Sequence, residues 1–378
     1  MADEAVRHFI LFFQHCRFAK AAQSCMLYNA GYLRLNRAWT LRISANTACK
    51  ERKLAELRYN PFKNDWVMVA SARQDRPQMP KDWCPFCPGS GRVPDSFDVL
   101  KYDNDFPALS PDPPEPDDVA TDFFRVAKAY GKCEVILYSP DHTATLPQLS
   151  VEHVRKLVDL WCERFAELSK YEKSKYIMIF ENRGEVVGVT MPHPHGQIYV
   201  FPFIPKKIQL KLDCARKHKE ETGSCLFCDW LKAETEAGSR VIFENRHFAV
   251  IIPFFSEFAY GTWIIAKDHI PCMTDFDDSQ RTALAEALRN TVGMYDSLFD
   301  RPFPYMMCMY NPPVNSGGAE DFHFHIEFFT PMRSEDKQQF LASCETGAWA
   351  HCNPTRPEDK AQELRAAYNR FIGKADGK

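Results

Sequence analysis

The chain has 378 residues, 45% of them apolar and 26% charged, with a net charge of −3 at neutral pH. That balance suits one large or two ordinary globular domains, and the absence of a long basic run argues against a nucleic-acid partner. No apolar run approaches the roughly 20 residues needed to cross a bilayer, so a membrane role is not expected.

Residues 5–50 hold Arg7, Arg17, Lys20, Arg34, Arg37, Arg42 and Lys50 but no acid. Residues 1–55 therefore read as a leader, either a disordered tail or an organelle transit-like extension. Phe9–Phe13 is too short for a secretory signal core and follows Asp3 and Glu4. The ordered chain is expected to begin near Leu57, with a first strand at Trp66–Ala70. Cys84-Pro-Phe-Cys87 and a proline-rich acidic loop follow. Glu134–Tyr138 reads as a strand running into Asp141-His142. Ser150 can cap a helix that presents Val154, Leu157, Val158, Trp161, Phe165 and Leu168 on one face. Tyr176–Phe180 is a further strand, and Glu181-Asn-Arg-Gly184 turns the chain.

Met191-Pro-His-Pro-His-Gly-Gln197 comes next. His193, His195 and Gln197 fall at i, i+2 and i+4, on one face of an extended segment. Pro192 and Pro194 cannot donate ladder hydrogen bonds, so the segment marks a strand entry or an edge. Gly196 is expected to leave room for a ligand at the backbone. Imidazole can bind metal, shuttle protons or attack phosphorus.

The order then recurs. Cys225-Leu-Phe-Cys228 is followed by strands at Val241–Asn245, His247–Ile252 and Thr262–Ala266, the last running into Asp268-His269. Ser279 can cap a helix carrying Leu284, Leu288, Val292 and Tyr295. A strand at Tyr305–Met309 ends at Asn311. In Phe322–Glu327, His323, His325 and Glu327 alternate with Phe322, Phe324 and Ile326. The chain reads as a duplicated unit.

Each copy supplies two thiolates and two imidazoles: Cys84, Cys87, His142 and His193, then Cys225, Cys228, His269 and His323. Cys₂His₂ is the ligand set of closed structural zinc, so two zinc ions are expected. A single Cys-x-x-Cys would also suit a redox dithiol or core thiols, and the repeated context favours metal. Thiolate metal sites in a chain of this size point to a reducing, cytoplasmic compartment. With His193 as a ligand, His195 two residues on is the candidate nucleophile.

Asp141-His142, Asn182–Gly188 and His193-Pro-His-Gly-Gln197 resemble galactose-1-phosphate uridylyltransferase, a branch of the histidine-triad superfamily. Tyr59-Asn-Pro61, Arg73-x-x-Arg-Pro77 and Asn104-Asp-Phe106 share the resemblance. It implies an α+β fold of two histidine-triad-like half-domains, each an antiparallel sheet with helices. The halves would be 56–208, bearing the nucleophile, and 209–378, bearing the second metal site. It also implies a homodimer whose active sites draw on both subunits. The implied reaction is ping-pong transfer of UMP from UDP-glucose to galactose 1-phosphate through a uridylyl-histidine at His195. Gln197 would donate to the non-bridging oxygens. Arg73 and Arg76 would balance phosphate charge, while Asn104, Asp105 and Phe106 would contact the nucleoside. Asn182, Gly188 and Thr190 would line the phosphate path. Glu345 and Thr346 lie in a stretch that resembles an acceptor-binding segment, although Gln339 stands where many relatives carry Lys. Some relatives hold iron at the second site with a Glu ligand, whereas this chain resembles those with a second Cys pair. The alternatives are a nucleotide-sugar phosphorylase using the same His195, and a zinc-organised binding module without catalysis. Only one nucleophile is expected. In the second copy Phe324 and Ile326 replace Pro194 and Gly196, and the anionic Glu327 replaces Gln197.

Overall fold

The computed structural model describes residues 55–74 and 83–375. The leader up to residue 54, and Arg76, lie outside the described residues. Two strands, β1 (Ala55–Asn60) and β2 (Asp65–Ala70), form a small antiparallel sheet with β4 (Val126–Lys128). The large sheet takes β3 (Leu100–Asp103), β5 (Lys132–Leu137), β6 (Tyr176–Arg183) and β7 (His195–Phe201) from the first half. The second half adds β8 (Val241–Glu244), β9 (Phe248–Ile251), β10 (Thr262–Ala266), β11 (Tyr305–Tyr310) and β12 (His325–Phe329). Their order is β3-β5-β7-β6-β11-β12-β10-β9-β8, with every pairing antiparallel.

That order mirrors itself about the β6–β11 seam, where Met306 pairs with Asn182 and Met307 with Glu181. The duplicated antiparallel units are therefore present, and their blocks join edge to edge in one continuous sheet. β7 runs between β5 and β6, with Leu137 opposite His195 and Phe180 opposite Gln197. β12 runs between β10 and β11 in the same manner, with Ile265 and Tyr310 opposite His325.

One face of the sheet is covered by α1 (Val151–Ser169) and α4 (Asp278–Asp296), which pack on each other. Ser150 caps α1, its hydroxyl accepting from the His153 amide, and the six apolar residues expected on one face are all buried. α4 is capped by Asp277 rather than Ser279. The Asp277 carboxylate accepts from the Gln280 amide while the Gln280 side chain accepts from Asp277 N–H. This reciprocal box satisfies two end donors, which a lone serine does not do. Ser279 instead meets His247 Nε2 at 3.0 Å. Beneath these helices, Ile136, Ile177, Ile179, Ile198 and Val200 join Trp161, Leu284, Phe324, Ile326 and Phe328 in the main core.

The opposite face carries His195, Gln197 and Tyr199. Three helices lie outside the expected pattern: α2 (Lys206–Thr222), α3 (Leu226–Ala237) and the C-terminal α6 (Pro357–Ala375). α2 and α3 escape notice because charged residues interrupt their apolar positions, with only Ile208, Leu212 and Ala215 buried on α2. A short α5 (Ser343–Ala348) precedes α6.

Candidate active site and metal centres

Two clusters of soft ligands form where the sequence places them. Cys84, Cys87, His142 and His193 bring one donor atom each within 4.8 Å of one another, as do Cys225, Cys228, His269 and His323. Cys84 Sγ is 3.7 Å from His193 Nδ1, and Cys87 Sγ is 3.5 Å from His142 Nδ1. Cys228 Sγ is 3.7 Å from His269 Nδ1 and 3.5 Å from His323 Nδ1. A zinc ion with ordinary Zn–S and Zn–N bonds sets its tetrahedral ligand atoms about 3.5 Å apart, so both clusters fit such an ion. Their orientation is fixed from behind: His193 Nε2 donates to the Ser139 carbonyl and His323 Nε2 to that of Ala266, each at 2.8 Å. Nδ1 is thereby left as the lone pair that faces the thiols and could hold a metal. Burial, then the hydrogen bond and charge of Cys84, pushes the Cys87 thiol up to about 11. Burial and then Cys225 push Cys228 up to about 12. A dication binds these as thiolates only by displacing protons, so affinity falls with acidity.

β7 starts at His195, immediately after the first cluster. His195 Nδ1 donates to the His193 carbonyl at 2.8 Å, which places the imidazole lone pair on Nε2. Phe86, inside the first Cys-x-x-Cys, lies against this ring with centroids 6.5 Å apart. A cavity of about 520 Å³ contains His195, Gln197, Arg73, Asn182, Gly188 and Thr190. Six residues 120 positions and more apart at the extremes, each named from the sequence, thus share one space. Arg73 arrives on a 3₁₀ turn, Ser71–Arg73, directly after β2, so the small sheet carries the cation to the cavity wall. Its Nη1 donates to Tyr199 Oη at 2.7 Å. Tyr199 was not anticipated, although at i+4 from His195 it lies on the same strand face and period-two spacing could have found it.

Gly196 has a different reason from the one expected. A Cβ there would stand 2.4 Å from Tyr138 Oη and 3.1 Å from the Phe180 carbonyl. Those atoms lie on the helix-covered side, so the glycine accommodates packing behind the strand and not a ligand in front.

The remaining sequence-predicted residues lie outside that cavity's lining. Asn104 Oδ1 accepts from the Phe106 amide at 2.9 Å, a local turn. Asp105 pairs with Arg92 at 3.0 Å and accepts from Tyr102 Oη at 3.1 Å. This loop still adjoins the site, because the Tyr102 ring meets Phe86 edge-on at 5.1 Å. Glu345 caps α5, accepting from the Ala342 amide at 3.1 Å, and Thr346 Oγ1 donates to the Leu341 carbonyl at 3.2 Å. Both lie at the surface. Gln339 is engaged by the segment between β9 and β10, donating to the Glu257 carbonyl at 2.8 Å and accepting from the Ala259 amide.

In the second copy His325 is fully buried. Its Nδ1 donates to the His323 carbonyl at 2.8 Å, repeating the first copy. Its Nε2, however, accepts from Lys211 Nζ of α2 at 2.9 Å, and the same ammonium donates to Glu327. Register makes Trp263 the counterpart of Val135, and Tyr310 that of Asn182. These two rings sandwich His325 at centroid separations of 4.7 and 4.8 Å. Burial, then the Lys211 charge, takes the imidazole down to about 4. Phe324 and Ile326 do not obstruct this site, since both point into the core. Phe322 departs from the expected alternation and packs beside His325, at 5.8 Å, because the strand begins only at His325. The second imidazole is closed off by aromatic rings and a lysine.

A duplicated antiparallel α+β protein with a cavity-lining histidine on β7 and a Cys/His cluster in each half is the class that fold and site define. The family models for the N-terminal and C-terminal domains of galactose-1-phosphate uridyl transferase match residues 45–205 and 211–366. Galactose-1-phosphate uridylyltransferase of Thermotoga maritima is 41% identical over 314 residues, covering 82% of this chain and 98% of that protein. Among solved structures, a uridylyltransferase superposes with a TM-score of 0.77 at 29% identity, covering 84% of this chain and 99% of its own. An ADP-glucose phosphorylase from Arabidopsis thaliana, with ADP-glucose bound, gives 0.64 at 26% identity, covering 82% and 98%. The chain belongs to the galactose-1-phosphate uridylyltransferase family.

Proposed function

We infer that the chain transfers UMP from UDP-glucose to galactose 1-phosphate, giving glucose 1-phosphate and UDP-galactose, with His195 as the nucleophile. The observation that carries the residue assignment is the His195 tautomer: Nδ1 is committed to the His193 carbonyl, and the ring lines the cavity shared with Gln197 and Arg73. The Nε2 lone pair attacks the α-phosphorus and the bond to the β-phosphate oxygen breaks, releasing glucose 1-phosphate. A phosphate oxygen of galactose 1-phosphate then attacks the same phosphorus, and the P–N bond returns its electron pair to Nε2. Gln197, on the same strand face, serves as donor to the non-bridging oxygens, and Arg73 opposes their charge. Tyr199 fixes the Arg73 fork. Asn182, Gly188 and Thr190 line the phosphate path, while the Asn104–Phe106 loop beside Phe86 holds the nucleoside.

Each cluster would hold one zinc ion, whose contribution is structural cross-linking. The first ties the Cys84–Cys87 loop and His142 to the residue that carries the carbonyl partner of His195. Glu345 and Thr346, at the surface on α5, fit an acceptor-binding role toward a second copy, so we propose a homodimer with shared sites. Every described cysteine is free and no described helix is long and apolar enough to cross a membrane, in keeping with a cytoplasmic placement.

The test is incubation with UDP-glucose alone, followed by galactose 1-phosphate. A UMP adduct on His195, stable to base and labile to acid, should form and then be consumed as UDP-galactose appears. No adduct, or one on another residue, overturns the nucleophile. Faster turnover with ADP-glucose and inorganic phosphate would move the assignment to a phosphorylase. Sedimentation should give twice the chain mass, and a monomer with full activity would refute the shared site.

A further inference from the structure

Directly behind the nucleophile strand, on the helix-covered face, lies a carboxyl group to which nothing above gives a role. Glu181 follows Phe180 on β6 and is 6% exposed. Its two oxygens are taken by tyrosines from the adjacent β11 and from the end of β5, one strand beyond β7. Tyr305 Oη of β11 donates to one at 2.9 Å, and Tyr138 Oη donates to the other at 3.2 Å. Tyr138 follows β5, and its amide donates to the Pro194 carbonyl at 3.0 Å. Both tyrosines are essentially inaccessible. The Tyr138 hydroxyl is the atom that a Cβ on Gly196 would strike, at 2.4 Å. Glu181, Tyr138 and Tyr305 also line a cavity of about 260 Å³ that reaches His195, Asn182 and Thr190. The group therefore spans the seam between the halves and ends against the residue next to the nucleophile.

We propose that Glu181 is a positioning residue for His195, holding the Tyr138 hydroxyl against Gly196 and so setting the pleat of β7 from which the imidazole is aimed. The inference rests on His195 as the nucleophile. Catalytic imidazoles tolerate little displacement, and a shift of about 1 Å costs on the order of a hundredfold. A buried wedge anchored by two hydrogen bonds is a suitable device for preventing one. A side chain with a single hydroxyl partner could pivot; one gripped from β11 on one side and from beyond β7 on the other cannot.

The carboxylate accepts from both tyrosines. On gaining a proton it must itself donate, and one hydroxyl has to turn away. Arg183 on its own strand, Tyr138, Tyr305 and Asp296 at the end of α4 are the titratable groups around it. Glu185 lines the adjoining cavity, and His153 of α1 meets the Tyr138 carbonyl at 2.8 Å. Burial pushes the Glu181 carboxyl up to about 7, against the pull of Arg183 and the two hydroxyls. The grip is thus complete above neutrality and loosens below it.

The experiment compares the full-length, metal-loaded wild type with Tyr138→Phe and Glu181→Gln. It measures kcat and KM for UDP-glucose from pH 5.5 to 9, the rate of UMP attachment to His195 with UDP-glucose alone, and the thermal midpoint. Tyr138→Phe should lower kcat about tenfold with KM within about twofold. Glu181→Gln keeps the shape but, like the protonated acid, turns a donor toward one of the two hydroxyls and cannot ionise. It should show at pH 9 the lowered kcat that wild type shows only below neutrality, so that the step belonging to Glu181 disappears from its pH profile. Wild-type kcat in Tyr138→Phe, or an unchanged pH profile in Glu181→Gln, overturns the proposal. If Tyr138→Phe does not fold, the Glu181→Gln profile decides alone; if Glu181→Gln does not fold, the Tyr138→Phe kcat decides. Absence of the adduct in the wild type would sink the nucleophile assignment instead, which separates the two failures.

Discussion

His195 and His325 have the same neighbours in sequence and opposite surroundings in space. Each donates Nδ1–H to the carbonyl two residues back. One lines a cavity, while the other is stacked between Trp263 and Tyr310 with Lys211 on its Nε2. His195→Ala should abolish the UMP adduct. His325→Ala should leave adduct formation intact and cost about 2–4 kcal/mol of stability, since it opens a buried space and strands the Lys211–Glu327 pair. Denaturant titration and mass spectrometry read the two effects separately, and loss of the adduct in His325→Ala would contradict a single chemical site. Glu181 offers a second check at this scale. Its carboxyl is raised from an ordinary 4.5 to about 7. The folded state therefore favours the protonated form, and that stabilisation is complete below about 4.5 and lost as pH rises through 7. Relative to wild type, Glu181→Gln should gain about 3 kcal/mol between pH 4.5 and pH 8. A difference independent of pH would show that the group titrates normally.

β7 and β12 are placed by what precedes them. In each, a Cys-x-x-Cys segment and an Asp-His turn converge on the histidine two residues before the strand, so a metal there fixes the strand's entry. The consequences should differ between the copies. Elemental analysis should find about two zinc ions per chain. Cys84→Ser should lower the rate of uridylylation at least tenfold while most of the fold survives, because the His193 carbonyl that orients His195 loses its anchor. Cys225→Ser should mainly lower the thermal midpoint, because β12 carries no reacting group. Equal loss of activity at equal stability in the two variants would argue against this division. Stable, active, metal-free protein would refute both sites.

The β6–β11 seam makes the two halves one molecule. Five residue pairs join the strands there, from Tyr305–Arg183 to Met309–Ile179. Glu181 is gripped across the seam by Tyr305, and α1 and α4 pack over it. Cutting between 208 and 209 would leave two long unpaired strand edges with apolar faces, the usual template for aggregation. Residues 56–208 and 209–378 produced separately should aggregate or lack cooperative unfolding. Produced together, they should recover activity. Circular dichroism and light scattering decide, and a cooperative, monomeric isolated half would show that each block is self-sufficient.

Much of the chemistry is local and was therefore legible in sequence. Cys-x-x-Cys, Asp-His and His-x-His fix ligand type and spacing, and period-two alternation assigns His195 and Gln197 to one face. The capped apolar face of α1 follows from short-range periodicity in the same way. What required the tertiary structure depends on pairing between distant segments. That one sheet runs through both halves is decided by the edges of β6 and β11. The purpose of Gly196 is set by Tyr138, 58 positions earlier, on a different strand. Closure of the second site comes from Lys211 on a helix whose weak amphipathic pattern gave no signal, and from a tyrosine standing where the other copy has Asn182. The Asn104–Phe106 loop and α5 took positions that local turn and cap chemistry cannot specify. A strand's own sequence determines which side chains share a face; which neighbours meet that face is determined by long-range pairing, and that is what separates a cavity-lining imidazole from a buried one.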